Sequence, residues 1–206
     1  MVHGRNVKIL RMVELALLAA IVAILTLTQA SIKLTALGTS ITLVLIPVVL
    51  GALVLGPGAG AFLGFEFGMI TYLMGVFGVD LFTFVLFQDH PIITALICIV
   101  KGTMAGLSAG LIYKALQNKK PYLGTVIAAA SAPIANTGLF VLGTFFVKDT
   151  LQSNFVAEGQ TVLYFVIIVC AGLNFILEFL LNMLAVPVLT RVVQALNKRV
   201  SPIQKG

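Results

Sequence analysis

Long apolar runs broken by short polar punctuation dominate the chain, and their lengths suit helices that cross a bilayer. A crossing helix needs about 20 mostly apolar residues to span the hydrocarbon layer. Runs of this kind predict spans at about residues 9–30, 38–56, 59–78, 91–116, 122–147 and 161–190. Turn signals separate them: Gly56-Pro57-Gly58 closes the second, and Gln117-Asn118-Lys119-Lys120-Pro121 joins the fourth to the fifth. The second run is short, so its start is placed back toward Leu37. The pattern predicts an all-α membrane protein, with six transmembrane helices in a compact bundle and one integral membrane domain over residues 1–206. The first run lacks a small-residue cleavage site at its end and is expected to persist as a span.

Composition narrows the class. Hydrophobic residues make up 60% of the 206 and charged ones 10%, with a mean hydropathy of +1.12. A water-soluble fold would need more charge to cover its surface. The net charge of +6 does not point to nucleic acid, because the basic residues are sorted by side. With the N-terminus inside, Arg5, Lys8, Arg11, Lys114, Lys119, Lys120, Arg191, Lys198, Arg199 and Lys205 all fall on cytoplasmic segments. Only Lys33 and Lys148 fall outside, and Lys101 is intramembrane. Cytoplasmic loops of membrane proteins carry this excess, so both termini are expected in the cytoplasm, with the basic ends facing lipid headgroups.

Enzyme chemistry finds no support. The spans hold no Ser/His or Cys/His combination, no paired acidic metal motif and no H-E-x-x-H. His3 and His90 lie outside the spans and far apart, and Cys98 and Cys170 read as small packing residues, so no metal ligands and no catalytic residues are assigned. Two external connections are long, at residues 30–40 and 79–90, and a third, at 148–160, is polar, whereas the cytoplasmic turns are short. Long loops on a compact bundle often serve as lids or binding elements, which favours capture of a solute from outside.

Small residues recur at helical spacing: Gly60, Gly64 and Gly68 in the third span, Gly102, Gly106 and Gly110 in the fourth. Ala16 with Ala20, and Ala19 with Ala23, repeat the spacing in the first. Such ribbons let helix backbones approach closely in lipid. The glycine ribbons are read as packing within the bundle; the alanine ribbon suits a membrane partner equally well. Pro47, Pro133 and Pro187 interrupt spans and free a carbonyl one turn earlier.

Against this background Glu66, Lys101 and Glu178 stand out, since each lies inside an apolar run. A charge at the bilayer centre costs at least ~2.5–3.5 kcal/mol, so it normally faces the protein interior and marks a site. At the helical rise of ~1.5 Å per residue, Glu66, Lys101, Asn136 and Asn174 share a depth near the midplane, with Glu178 about one turn further in. Asn174, Glu178 and Asn182 form one stripe at four-residue spacing. Tyr72 falls in the outer half of its span. These positions predict a solute site of Lys101, Asn136, Asn174, Glu66, Tyr72 and Glu178. Lys101 either ion-pairs with Glu66 or Glu178 or serves as counter-ion to an anionic solute.

Residues 46–68 read IPVVLGALVLGPGAGAFLGFEFG, and this stretch resembles the substrate-binding S components of energy-coupling factor (ECF) vitamin transporters. Leu15-Ala16-Leu17-Leu18-Ala19-Ala20, Pro133-Ile134-Ala135-Asn136-Thr137-Gly138 and Gly172-Leu173-Asn174-Phe175 are similar to that family as well. The likeness covers about residues 8–190. It implies six helices, a vitamin site near the outer face, and docking on a membrane scaffold subunit driven by two ATPases. The family's Ala-x-x-x-Ala pattern contributes to docking, and here it matches Ala16 and Ala20, with Ala19 and Ala23 beside them. The whole S component is held to reorient in the bilayer and carry the solute inward. The resemblance also implies a bacterial cytoplasmic membrane, no cofactor on this chain, and ATP used by the partner subunits. The chain has no G-x-x-x-x-G-K-[ST] of its own.

Pocket chemistry then ranks the solutes. Flat rings favour stacking on Trp or Tyr, and the chain has no Trp and four Tyr. An embedded lysine with neutral amides suits a small flexible carboxylate bearing amide and hydroxyl groups, which makes pantothenate the first expectation. Folate, cobalamin, riboflavin, a pyrimidine precursor and other vitamins are the alternatives. The rival class is a stand-alone proton-coupled secondary transporter using Glu66 and Glu178 as carriers, although the halves show no internal repeat.

Overall fold

The computed structural model describes residues 2–29 and 43–204. The connection at 30–40 and the start of the second span at 38 therefore lie outside the described residues. Among those described there is no strand. The elements are α1 (Val2–Gln29), α2 (Leu45–Leu55), α3 (Pro57–Val76), α4 (Leu81–Asp89), α5 (Pro91–Leu116) and α6 (Pro121–Thr144). A 3-10 turn (Phe145–Val147) leads into α7 (Lys148–Asn154). The last stretch runs as α8 (Val162–Tyr164), a π-helical segment (Phe165–Gly172) and α9 (Leu173–Gln204).

Proline sets three of these starts. Pro57, Pro91 and Pro121 occupy the first helical turn of α3, α5 and α6, where a missing N–H costs nothing and the ring pre-sets φ. Gly56 between α2 and α3 has φ +101°, a backbone conformation glycine adopts without penalty. The fourth run thus matches α5 residue for residue. The third begins slightly earlier than its apolar run, because Pro57 opens the helix rather than ending the turn.

Among the described residues five helices are long and apolar enough to cross a membrane, and α2 has only 11 residues. At the helical rise α2 covers roughly 16 Å, about half of the hydrocarbon layer. It is nevertheless deeply buried. Leu45, Val48 and Val49 are fully enclosed, with Ala52 and Leu53 nearly so. The element that is shortest for the bilayer is thus shielded from lipid by its neighbours.

With the side expected to be cytoplasmic labelled inner, the core has an inner, an outer and a lateral part. The inner cluster joins Leu45, Val49 and Ala52 of α2 to Ala105 and Ala109 of α5, Ala128, Ala129 and Ala132 of α6, and Val186 and Leu189 of α9. The outer one gathers Leu86, Ile97, Val147, Leu151, Phe165, Val166 and Cys170. Laterally, Leu18 and Val22 of α1 meet Val44, Val48, Leu63 and Phe67.

The glycine ribbons of α3 and α5 face each other, as expected for packing within the bundle. A Cβ added at Gly64 would run into the Gly102 carbonyl, and one at Gly106 into the Gly60 carbonyl. Backbone thus lies directly on backbone, the arrangement that replaces hydrophobic drive in lipid. Helix α1 sits at the edge. Val22 is buried, whereas Met12, Val13, Leu17 and Ile24 are exposed.

Two external connections depart from the expectation of loops. Residues 79–90 contain α4, and residues 148–160 begin with α7. Asp80 caps α4 by accepting from the Thr83 amide at 3.3 Å, and Leu86 and Leu151 sink into the outer cluster. The Thr150 hydroxyl donates to Asp89 Oδ2 at 2.7 Å, tying the two helices together. Phe82 packs against Phe155 and Phe140 with centroids 5.2 and 5.9 Å away. Buried apolar residues in both, with a cap on α4, made helices where chain length alone suggested loops.

Candidate functional site

The inner and outer clusters are separated by a polar layer, and the register of three helices defines it. On α5, Ile97 belongs to the outer cluster and Ala105 to the inner one, with Lys101 one turn from each. On α6, Phe140 packs on the outer cluster and Ala132 belongs to the inner, with Asn136 between them. Cys170 and Val186 bracket Asn174, Glu178 and Asn182 in the same way. Helix α6 packs against both α5 and α9. Opposite Gly102, Gly64 places Glu66 of α3 at the depth of Lys101.

Within that layer the side chains are specific about their company. Lys101 Nζ lies 5.1 Å from the Phe140 ring centroid and 5.9 Å from that of Phe67. Among the described residues it ion-pairs with no carboxylate, so the internal ion pair considered from the sequence does not form. A ring face attracts a desolvated ammonium by ~2 kcal/mol, but it accepts no strong hydrogen bond. The ammonium therefore keeps its donor capacity for another ligand.

Asn174 Nδ2 donates to Glu178 Oε1 at 3.1 Å, and Asn182 Nδ2 donates to the Glu178 carbonyl at 2.9 Å. The stripe on α9 is thus a hydrogen-bonded unit. Glu178 and Asn182 are fully buried and Asn136 nearly so. Four acceptors in or beside this layer are buried without a hydrogen-bond partner: Glu66 Oε2, Asn136 Oδ1, Asn174 Oδ1 and Asn182 Oδ1. A buried acceptor left unmet costs ~1–3 kcal/mol. Together they favour a guest carrying N–H or O–H donors.

The remaining predicted residues are dispersed. Tyr72 packs edge-on against Phe87 of α4, with centroids 5.9 Å apart, nearer the outer end than the polar layer. Glu66 is partly buried. The π segment ends immediately before Leu173, and such segments recur at functional positions because they re-register a helix. Phe140, Phe67 and Asn182 were not among the residues nominated from sequence. Phe140 was findable as the residue one turn beyond Asn136; Phe67 had no comparable signal.

On α1, Ala16 and Ala20 are exposed, whereas Ala19 and Ala23 are partly buried. Ala19 packs on the lateral cluster. The first pair therefore remains on the open face, between the large exposed side chains of Leu17, Ile21 and Ile24.

An all-helical bundle of long apolar helices around a buried polar layer defines a multi-pass membrane protein. The family model described as ECF transporter, substrate-specific component, matches residues 10–190. The chain belongs to that family: it is a substrate-specific subunit of an ECF importer and not an enzyme. No curated protein matches it. Family membership implies association with a scaffold subunit and ATPase subunits.

Proposed function

We propose that the chain captures a small carboxylate bearing hydroxyl and amide groups, with pantothenate as the first choice, and delivers it inward across the bacterial cytoplasmic membrane. Six spans, α2 included, carry it, with both termini in the cytoplasm. Lys101 receives the carboxylate. Asn136 and Asn174 accept from the solute's hydroxyl and amide groups, Glu178 orients Asn174, and Glu66 and Tyr72 border the route from outside. Ala16 and Ala20, flanked by Ala19 and Ala23, dock on the scaffold, and two partner ATPases supply the hydrolysis, so the chain itself needs no cofactor.

One observation carries the reading: an embedded lysine held by rings rather than by a carboxylate, in a layer where asparagine carbonyls lack donors. That donor and acceptor pattern is the complement of a hydroxylated amide acid. It is a poorer complement for riboflavin, which has no carboxylate. Mass spectrometry of the small molecule retained by detergent-extracted protein, followed by calorimetric titration with it, tests the assignment. A retained acid of this class supports it. A retained cation or a neutral ring compound refutes it.

A further inference from the structure

A polar concavity lies at the opposite end of the bundle from α4 and α7. It is a cleft of about 190 Å³ where the α5–α6 turn meets α9. Tyr113, Gln117, Asn118, Thr125, Thr190 and Gln194 supply its polar lining, and no carboxylate contributes. The cleft shares no residue with the polar layer.

Its free hydrogen-bonding groups are amides and a phenol that can donate as well as accept. The Thr125 hydroxyl is spent on the Pro121 carbonyl at 3.1 Å, and Thr190 on the Val186 carbonyl at 2.8 Å. Tyr113 is 5% exposed, yet its hydroxyl makes no hydrogen bond among the described residues. The amides of Gln117, Asn118 and Gln194 are exposed and can donate. Helix α6 begins at the cleft with Pro121, and no side chain caps its free amides. The carbonyl end of α5, by contrast, is closed by the amides of Gln117, Lys119 and Lys120. Uncapped helix amides carry partial positive charge and favour an anion. Lys119 and Lys120 fill the turn between Asn118 and Pro121, while Lys114 and Arg191 directly follow the lining residues Tyr113 and Thr190.

We infer that this cleft binds a phosphate group, and specifically the headgroup phosphate of an anionic phospholipid. The source follows from position: the cleft lies at the ends of membrane-spanning helices, with basic residues next to its lining in sequence, where lipid headgroups sit. Taking the lipid from the inner leaflet rests on the proposed orientation; headgroup selectivity does not. The phosphate would receive the Tyr113 hydroxyl and the α6 amides, with the lysines balancing its charge. The lipid would thereby brace the α5–α6 turn against α9.

Native mass spectrometry of the full chain in mixed micelles containing phosphatidylglycerol or phosphatidylcholine reads this directly. Phosphatidylglycerol is expected to be retained preferentially. Tyr113→Phe, which removes only the hydroxyl, should lower that retention about tenfold, the worth of one hydrogen bond to a charged group. Lys119→Ser with Lys120→Ser should lower it further, and folding of each variant is checked by its melting temperature. Equal retention of the two lipids, or retention unchanged in both variants, overturns the site. Displacement of the lipid by millimolar inorganic phosphate overturns the lipid as the source. None of these readouts depends on the transported solute.

Discussion

Lys101 is the residue on which the solute assignment turns, because its surroundings are unusual for a charge in hydrocarbon. Rings of Phe67 and Phe140 stabilise the ammonium without consuming its protons. Lys101→Ala should therefore weaken binding of an anionic solute by about tenfold to a hundredfold, the range for a charge-assisted hydrogen bond. The protein should still fold, since no buried carboxylate loses an ion-pair partner. Calorimetric titration with a parallel melting curve checks both halves. Unchanged affinity would remove Lys101 from the site. The sequence identified this residue from its charge and depth, yet left its partner open between carboxylate and solute. Only coordinates could choose, since Phe67 and Phe140 are 34 and 39 residues away along the chain.

At the scale of elements, the α3–α5 seam and the exposed face of α1 make opposite demands on small residues. Gly64→Ala places a methyl against the Gly102 carbonyl and should destabilise by ~1–3 kcal/mol, the usual cost of overpacking. Gly138→Ala meets nothing within 4 Å, so it should be neutral or stabilise by up to ~1 kcal/mol through helix propensity. Melting temperatures in detergent compare the two, and an equal response would contradict the seam. For Ala16 and Ala20, replacement of both by leucine should abolish uptake in vesicles reconstituted with scaffold and ATPases, while solute binding stays intact. Normal uptake would show that this ribbon is not the docking face. The glycine and alanine ribbons look alike as sequence. They differ because the glycines meet a partner helix inside the bundle, whereas Ala16 and Ala20 stay exposed among the described residues.

The whole molecule is a stack of levels: apolar, polar, apolar, with a phenylalanine-rich cover on one end and lysines at the other. The proposed orientation rests on charge sorting and is testable without a ligand. With Cys98 and Cys170 buried, a membrane-impermeant thiol reagent applied to intact cells should label Glu158→Cys and spare Lys119→Cys. The reverse pattern would invert the topology and place the capture face on the wrong side.

Periodicity and charge alone determined the helical class, five of the apolar spans with their approximate ends, and the multi-pass membrane setting. Those properties depend on local terms, namely apolar length, proline at helix starts and the cost of a charge in hydrocarbon, which the chain carries in its own order. Tertiary structure decided the rest. It turned two external connections into helices, because Leu86 and Leu151 had a core to enter. It hid α2 among longer neighbours, set glycine against glycine, and surrounded Lys101 with rings instead of carboxylates. Each of those outcomes depends on which distant segment arrives at a given face, a contact that no local pattern encodes.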